Sequence, residues 1–392
     1  MRILNLYSDW KWTGPIEPVL NLMRVLASQG HEITFAYGLP PYETDRCIHA
    51  YIDRYHLNPV TRFRLNHVLK WNNWSSIPGT IHDLRHLPAF IDREGFDLIQ
   101  VHRSHDHFIG GIATRISKTH PPVVRMDHKR NSLSPSFSNK LLLSRFTDGL
   151  ITFSQRSMEL LRERFGFPLK RMVIVNPALD LKRLDFHRDY KDMRPVFNIP
   201  PEAFVIGNVA RFQKYRGTDR LIEAVHLLRD RLPNLRLLLV GRSGEIKESV
   251  EAPVRRFHLE DRVILAGYRM DDYFDTLASM DCFVFLTPGS DGTARALREA
   301  MVLGLPVIVA KRGMLPELVG NGNAGMIVED TPENLSQAIY QMATDPDRRT
   351  ELGKAAREHA TREFRLDRQA KTVESFYRKI LTIQENGMQS ES

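Results

Sequence analysis

The sequence is poor in cysteine, with only Cys47 and Cys282 among 392 residues. Two thiols so far apart make no disulfide framework, and they suit a reducing compartment. No apolar run is long enough to cross a bilayer. No signal-peptide pattern precedes Arg2-Ile3-Leu4-Asn5-Leu6-Tyr7, which reads as a strand directly after Met1, so a soluble, cytoplasmic protein is expected. Low-complexity tracts and short internal repeats are missing too. So is any nucleic-acid motif, which ranks nucleic acid last among partners.

Net charge is also absent from most of the chain. Residues 1–100 hold 10 basic and 10 acidic side chains, and residues 191–392 hold 29 of each. The whole excess of +8 lies in residues 101–190, with 16 basic against 8 acidic. A local surplus of this kind points to an anionic partner: a phosphorylated acceptor or an anionic membrane surface.

What is present is an alternation of apolar runs with helical patterns. Residues 2–7, 32–37, 98–101, 123–126, 150–153 and 172–175 read as strands; so do 204–207, 237–240, 263–265, 282–286, 306–310 and 326–328. Strands separated by helices predict the α/β class with doubly wound parallel sheets, which bind ligands beyond the carboxyl ends of their strands. The length suggests two domains. Pro177, Pro195, Pro200 and Pro201 interrupt a charged stretch near residues 177–203, where the boundary is expected. Residues 38–96 fit the alternation poorly. Their Tyr51, Tyr55, Phe63, Trp71 and Trp74, among Arg62, Arg64 and Lys70, read either as helices covering a sheet edge or as an acceptor- or membrane-facing insertion.

Chemistry-bearing residues gather after predicted strands. The first strand leads into Thr13-Gly14-Pro15-Ile16-Glu17, a glycine turn opening a helix. Arg211, Lys214 and Arg216 crowd the turn after the 204–207 strand, where guanidinium groups can clamp a diphosphate. Gly241-Arg242-Ser243-Gly244 is half of a dinucleotide fingerprint and reads as a turn near the ligand. His102, His105 and His107 follow one strand, and Asp127-His128-Lys129-Arg130 follows the next. With no cysteine partner, polar contacts to a substrate fit these histidines better than zinc. After Cys282-Phe283-Val284-Phe285-Leu286 comes a small-residue loop with Asp291, then a helix that Gly304 and Pro306 end. Glu299, in that helix, has two readings: a surface ion pair with Arg295 at i,i+4, or a hydrogen-bond acceptor for ligand hydroxyls.

Four of these segments together resemble the family 4 retaining glycosyltransferases of the GT-B fold. Gly14-Pro15-Ile16-Glu17 is similar to the family's Gly-Gly-Ile-Glu loop, and Val209-Ala210-Arg211 through Arg216-Gly217 to its Arg-Leu-x-x-x-Lys-Gly clamp. His128 matches its histidine near the donor sugar. Asp291 through Glu299, with Ala300-Met301 and Gly304-Leu305-Pro306-Val307-Ile308, matches its E-x7-E region. The resemblance implies two Rossmann-like domains facing a central cleft: 1–185 for the acceptor, 186–365 for the nucleotide sugar, and a helix at 366–383 crossing back to the first. Arg211 and Arg216 would neutralise the diphosphate and Glu299 would bind the ribose hydroxyls. Asp291, Gly292 and Thr293 would contact the donor sugar, with Gly14 facing the donor and Gly267-Tyr268-Arg269 near the base. His102, His105, Lys129 and Arg130 lie on the acceptor side. No metal or other cofactor is expected, since cationic side chains stabilise the leaving diphosphate.

Four positions depart from the family pattern: Asp291 stands for the first glutamate, Pro15 for the second glycine, Arg216 for the clamp lysine and Ala294 for a glycine. The expected function is sugar transfer from a nucleotide diphosphate to a lipid-linked or polysaccharide acceptor of the bacterial envelope, such as lipopolysaccharide, with peripheral contact to the inner membrane face. A nucleotide-sugar 2-epimerase of the same fold and a silent nucleotide-sugar-binding protein are the alternatives.

Overall fold

The computed structural model describes the chain except residues 14–15, 66–76, 129–131, 182–188, 243, 288–293 and 392, and the side chains of 387–391. It divides into two compact units: residues 1–178 with 366–392, and residues 179–365.

In the first unit, seven strands pair in parallel: β1 Arg2–Tyr7, β2 Glu32–Tyr37, β3 Asn58–Val60, β4 Leu98–Val101, β5 Val123–Met126, β6 Gly149–Thr152 and β7 Met172–Ile174. Their order is β3-β2-β1-β4-β5-β6-β7. Inner strands are buried on both faces, as β4 is at every residue, which is why they read as continuous apolar runs. One face packs under Ile16, Val19, Leu22 and Leu26 of the first helix and under Ala370, Val373, Phe376 and Ile380 of the last. The other carries Leu87, Phe90, Ile109 and Ala113. Within residues 38–96 the structure adds an edge strand, β3, that the alternation did not reveal; it has three residues and contains Pro59, a residue confined to sheet edges. Phe63 is core and Tyr51 packs on Trp12, while Lys70, Trp71 and Trp74 lie outside the described residues.

The second unit holds six parallel strands: β8 Phe204–Val209, β9 Leu235–Val240, β10 Val263–Gly267, β11 Cys282–Phe285, β12 Val307–Ala310 and β13 Met326–Val328. The order is β10-β9-β8-β11-β12-β13. Both sheets therefore reverse their winding once, between β1 and β4 and between β8 and β11. Gly304 ends the helix Arg295–Val302 at φ +82°, a left-handed turn. Beside it the helix Pro346–Glu363 comes so close that a Cβ on Gly353 would lie 2.4 Å from the Gly304 carbonyl oxygen.

That contact makes a prediction with a definite sign. Alanine normally stabilises a helix interior by about 1 kcal/mol over glycine. Gly353→Ala should instead destabilise the protein by about 1–3 kcal/mol, the usual cost of overpacking, and lower its urea midpoint. A raised midpoint contradicts the close packing.

Candidate active site

In the second unit the site begins where β8 and β11 part. The Asn208 side-chain amide donates to the Val284 carbonyl at 2.7 Å and ties these neighbouring strands together. Past β8, buried Phe212 anchors the turn, and the Ser249 hydroxyl donates to its carbonyl at 2.6 Å. The chain then makes a short 3₁₀ turn, Lys214–Arg216, and Gly217 at φ +78° starts the helix Thr218–Leu227. Arg211 is exposed, and its guanidinium has no ion-pair partner among the described residues. Arg216 is half-buried, donating to the Thr287 carbonyl beyond β11 at 2.9 Å. Two guanidinium groups thus come from a turn at the strand-order reversal, where a parallel sheet binds its ligand. One is available and the other is braced.

The neighbouring turns are pinned by backbone. Gly241 after β9 donates to the Gly267 carbonyl at 2.8 Å, and a Cβ on it would lie 1.9 Å from the Ala210 carbonyl oxygen. Only glycine fits there. Tyr268 is exposed with the Arg242 guanidinium 4.5 Å over its ring, while Arg269 is committed to Asp272 and to the face of Phe197.

Glu299 is 4% exposed, which removes the surface ion-pair reading. The Arg295 Nε donates to its Oε1 at 2.8 Å, so the i,i+4 pair forms, but around a buried carboxylate. The Tyr273 hydroxyl donates to its Oε2, also at 2.8 Å. Tyr273 opens the helix Tyr273–Ala278 and belongs to none of the motifs. Burial and, next, the Glu299 carboxylate hold its phenol well above the usual range, so it stays a donor. The helix carrying Glu299 starts at Arg295, and Ala294 before it adopts φ +46°, ψ +51°. Glycine takes that left-handed conformation without strain, so the glycine-to-alanine departure falls where it has a steric cost. Asp291, Gly292 and Thr293 lie outside the described residues, as does Gly14.

In the first unit, Asp106 joins the ends of β1 and β4. Its Oδ2 accepts from the Ser8 amide at 3.0 Å and its Oδ1 from the Arg103 amide at 2.6 Å, so it caps the helix Ser104–Ile116. Burial pushes its carboxyl up to about 7, with the Arg125 cation pulling the other way. Arg125, on β5, is 1% exposed; its Nη1 donates to the Arg103 carbonyl and to His107 Nδ1, at 2.9 and 3.1 Å. That donor obliges His107 to carry its hydrogen on Nε2, which lies 2.7 Å from the Thr147 hydroxyl.

His102 Nδ1 and His128 Nε2 lie 3.2 Å apart, one donating to the other, and His102 Nε2 lies 3.2 Å from Asn5 Oδ1 and 3.4 Å from the Gln100 side-chain nitrogen. Burial, then Arg125 and Arg103, push the half-buried His128 down to about 3. Burial, then His128 and Arg125, hold His102 well below its usual range. Both imidazoles are therefore neutral near pH 7. His105 and His107 are interior residues at 3% and 1% exposure rather than surface ones, because the helix from Ser104 turns them under the sheet end. Lys129 and Arg130 lie outside the described residues. Arg125 and Tyr273 escaped the sequence because their partners come from distant elements. Asp106 stands in the polar run with His102, His105 and His107, and only its bridging of two strand ends escaped.

Among the described residues, no helix is long and apolar enough to cross a membrane. Residues 189–359 match the family model described as glycosyl transferases group 1, and residues 19–183 match that of glycosyltransferase family 4. The chain is 25% identical over 377 residues to the N-acetyl-alpha-D-glucosaminyl L-malate synthase of Bacillus anthracis, covering 93% of this chain and 94% of that one. It is 28% identical over 214 residues to the putative colanic acid biosynthesis glycosyltransferase WcaL of Escherichia coli, covering 52% of this chain and 50% of that relative's length. A crystal structure of Anabaena HepE in complex with UDP shares the fold, with a TM-score of 0.75 at 20% identity over 96% of this chain and 99% of that one. The two models take in most of both units, and the chain belongs to the glycosyltransferases, family 4 in its first unit and group 1 in its second.

Proposed function

We propose that this glycosyltransferase takes a sugar from a nucleoside-diphosphate donor, with retention and without a metal, and places it on a lipid-linked or polysaccharide acceptor of the bacterial envelope. The observation that carries the donor half is the exposed Arg211 guanidinium beside the braced Arg216, at the β8/β11 reversal. Their charge would stabilise the leaving diphosphate as the glycosidic bond breaks. Asp291, Gly292, Thr293 and Gly14 are assigned to the donor by the family resemblance, as is Glu299 to the ribose. Gly267-Tyr268-Arg269 is assigned to the base, with Tyr268 as an exposed side chain and Arg269 a brace for its turn. His128, held as a neutral imidazole with its Nε2 engaged by His102, would meet a hydroxyl of the reacting sugar through Nδ1.

The acceptor half draws on two further facts. The surplus of +8 is confined to residues 101–190, and the relative WcaL is named for colanic acid biosynthesis. An anionic acceptor, reached at the cytoplasmic membrane face, fits both. Lys129, Arg130, His102 and His105 are assigned to that side. Of these, His102 and His105 act from inside the fold, as supports rather than as contacts.

Thermal-shift screening against UDP-, GDP- and ADP-sugars tests the donor. At 100 times its dissociation constant, one of them should stabilise the protein by about 2.7 kcal/mol. Glu299→Gln should abolish that stabilisation; no stabilisation by any of the three contradicts the donor site. Arg211→Ala should lower kcat by about 10²–10³-fold, read as nucleoside diphosphate released with a lipid-linked acceptor. An unchanged rate removes Arg211 from the clamp.

A further inference from the structure

We propose that Tyr273 is a positioning residue for donor recognition: its phenol fixes the Glu299 carboxylate so that the oxygen edges left open match the two hydroxyls of a ribose. The inference rests on the assignment of Glu299 to the donor, and it names a residue that no family motif contains.

An ionised carboxylate has about four acceptor sites, two on each oxygen. In Glu299 one site on Oε1 is filled by Arg295 and one on Oε2 by Tyr273, each at 2.8 Å. Among the described residues one site per oxygen remains, which is the set that a vicinal diol uses. Arg295 approaches from one turn earlier on the same helix, whereas Tyr273 reaches across from the segment after β10. Two donors from different elements leave the carboxylate no freedom to rotate about its last torsion. The Tyr273 ring is itself held edge-on to Phe274, with centroids 5.1 Å apart. With Tyr273 removed, Arg295 alone can follow a turning carboxylate, because both ride on one helix. The diol would then meet a mobile acceptor. Preorganised acceptors discriminate hydroxyl from hydrogen, and mobile ones do so weakly.

The probe is the nucleoside diphosphate, among UDP, GDP and ADP, that binds the full-length protein most tightly by calorimetry, together with its 2′-deoxy counterpart. The wild type should prefer the ribonucleotide by about 10-fold or more, the worth of a hydrogen bond to a charged group. Tyr273→Phe keeps the ring and should bring that preference below about 3-fold, with the melting curve still cooperative. In a Glu299→Gln background, Tyr273→Phe should change ribonucleotide affinity no further, since its effect passes through the carboxylate. If Tyr273→Phe retains the full preference while Glu299→Gln loses it, the positioning role is wrong and the donor assignment stands. Equal losses from Tyr273→Phe with and without Glu299 also overturn the role, because the tyrosine then acts elsewhere. If no diphosphate binds, or Glu299→Gln binds both forms as the wild type does, the donor assignment falls and this inference with it.

Discussion

A parallel sheet must be covered on both faces, because its crossover helices lie there, and every site in this protein follows from that constraint. To cover the second face the chain reverses its winding, and at the reversal two neighbouring strands send their following segments to opposite sides. The parted carboxyl ends leave a crevice lined with backbone N–H groups and loop side chains. The first unit has its crevice at β1 and β4, where Asp106 bridges the two ends. In the second it lies at β8 and β11, where Arg216 reaches the Thr287 carbonyl. The same topological event places a carboxylate bridge in one unit and a guanidinium bridge in the other.

Both units also keep charge away from water, and each does so with partners drawn from several elements. Glu299 at 4% exposure and Arg125 at 1% are not surface ornaments. Breaking a buried pair by deleting one partner costs about 3–5 kcal/mol, far above the ~0.5 kcal/mol of an exposed helix pair. Arg125 holds the Arg103 carbonyl and His107, and so orients the segment that presents His102 toward His128. Such groups lock geometry more than they add stability.

Much of the fold was legible in the residues. Strands buried on both faces show as apolar runs, and Gly304 and Pro306 mark a helix end through φ and a missing N–H. Strand β3 was not legible: three residues with a proline carry no period. For the site, local motifs located Arg211, Arg216 and His128, because each follows a strand end closely, and Glu299, because its helix is bounded by a small-residue loop and by Gly304. They did not reveal that Glu299 is buried, since a helix face with Val302 and Leu303 on one side and Arg295 on the other reads either way. Nor did they reveal Tyr273, 26 residues away, whose pairing exists only once β10 and β11 have been placed in one sheet. Contacts across the fold leave no local trace when neither partner is a glycine, a proline or part of a periodic face.

The last helix, Leu366–Glu391, completes the core of the first unit, setting Phe376 and Ile380 against the strand that begins at Gly149. A ribosome therefore releases the first 178 residues with one face of their sheet only partly covered, by the first helix. Residues 179–365 form a compact unit without outside help and can fold while the earlier half waits. The half made first is the half finished last. For as long as the second is being synthesised, an apolar surface built for a helix stays open to chaperones and to other nascent chains.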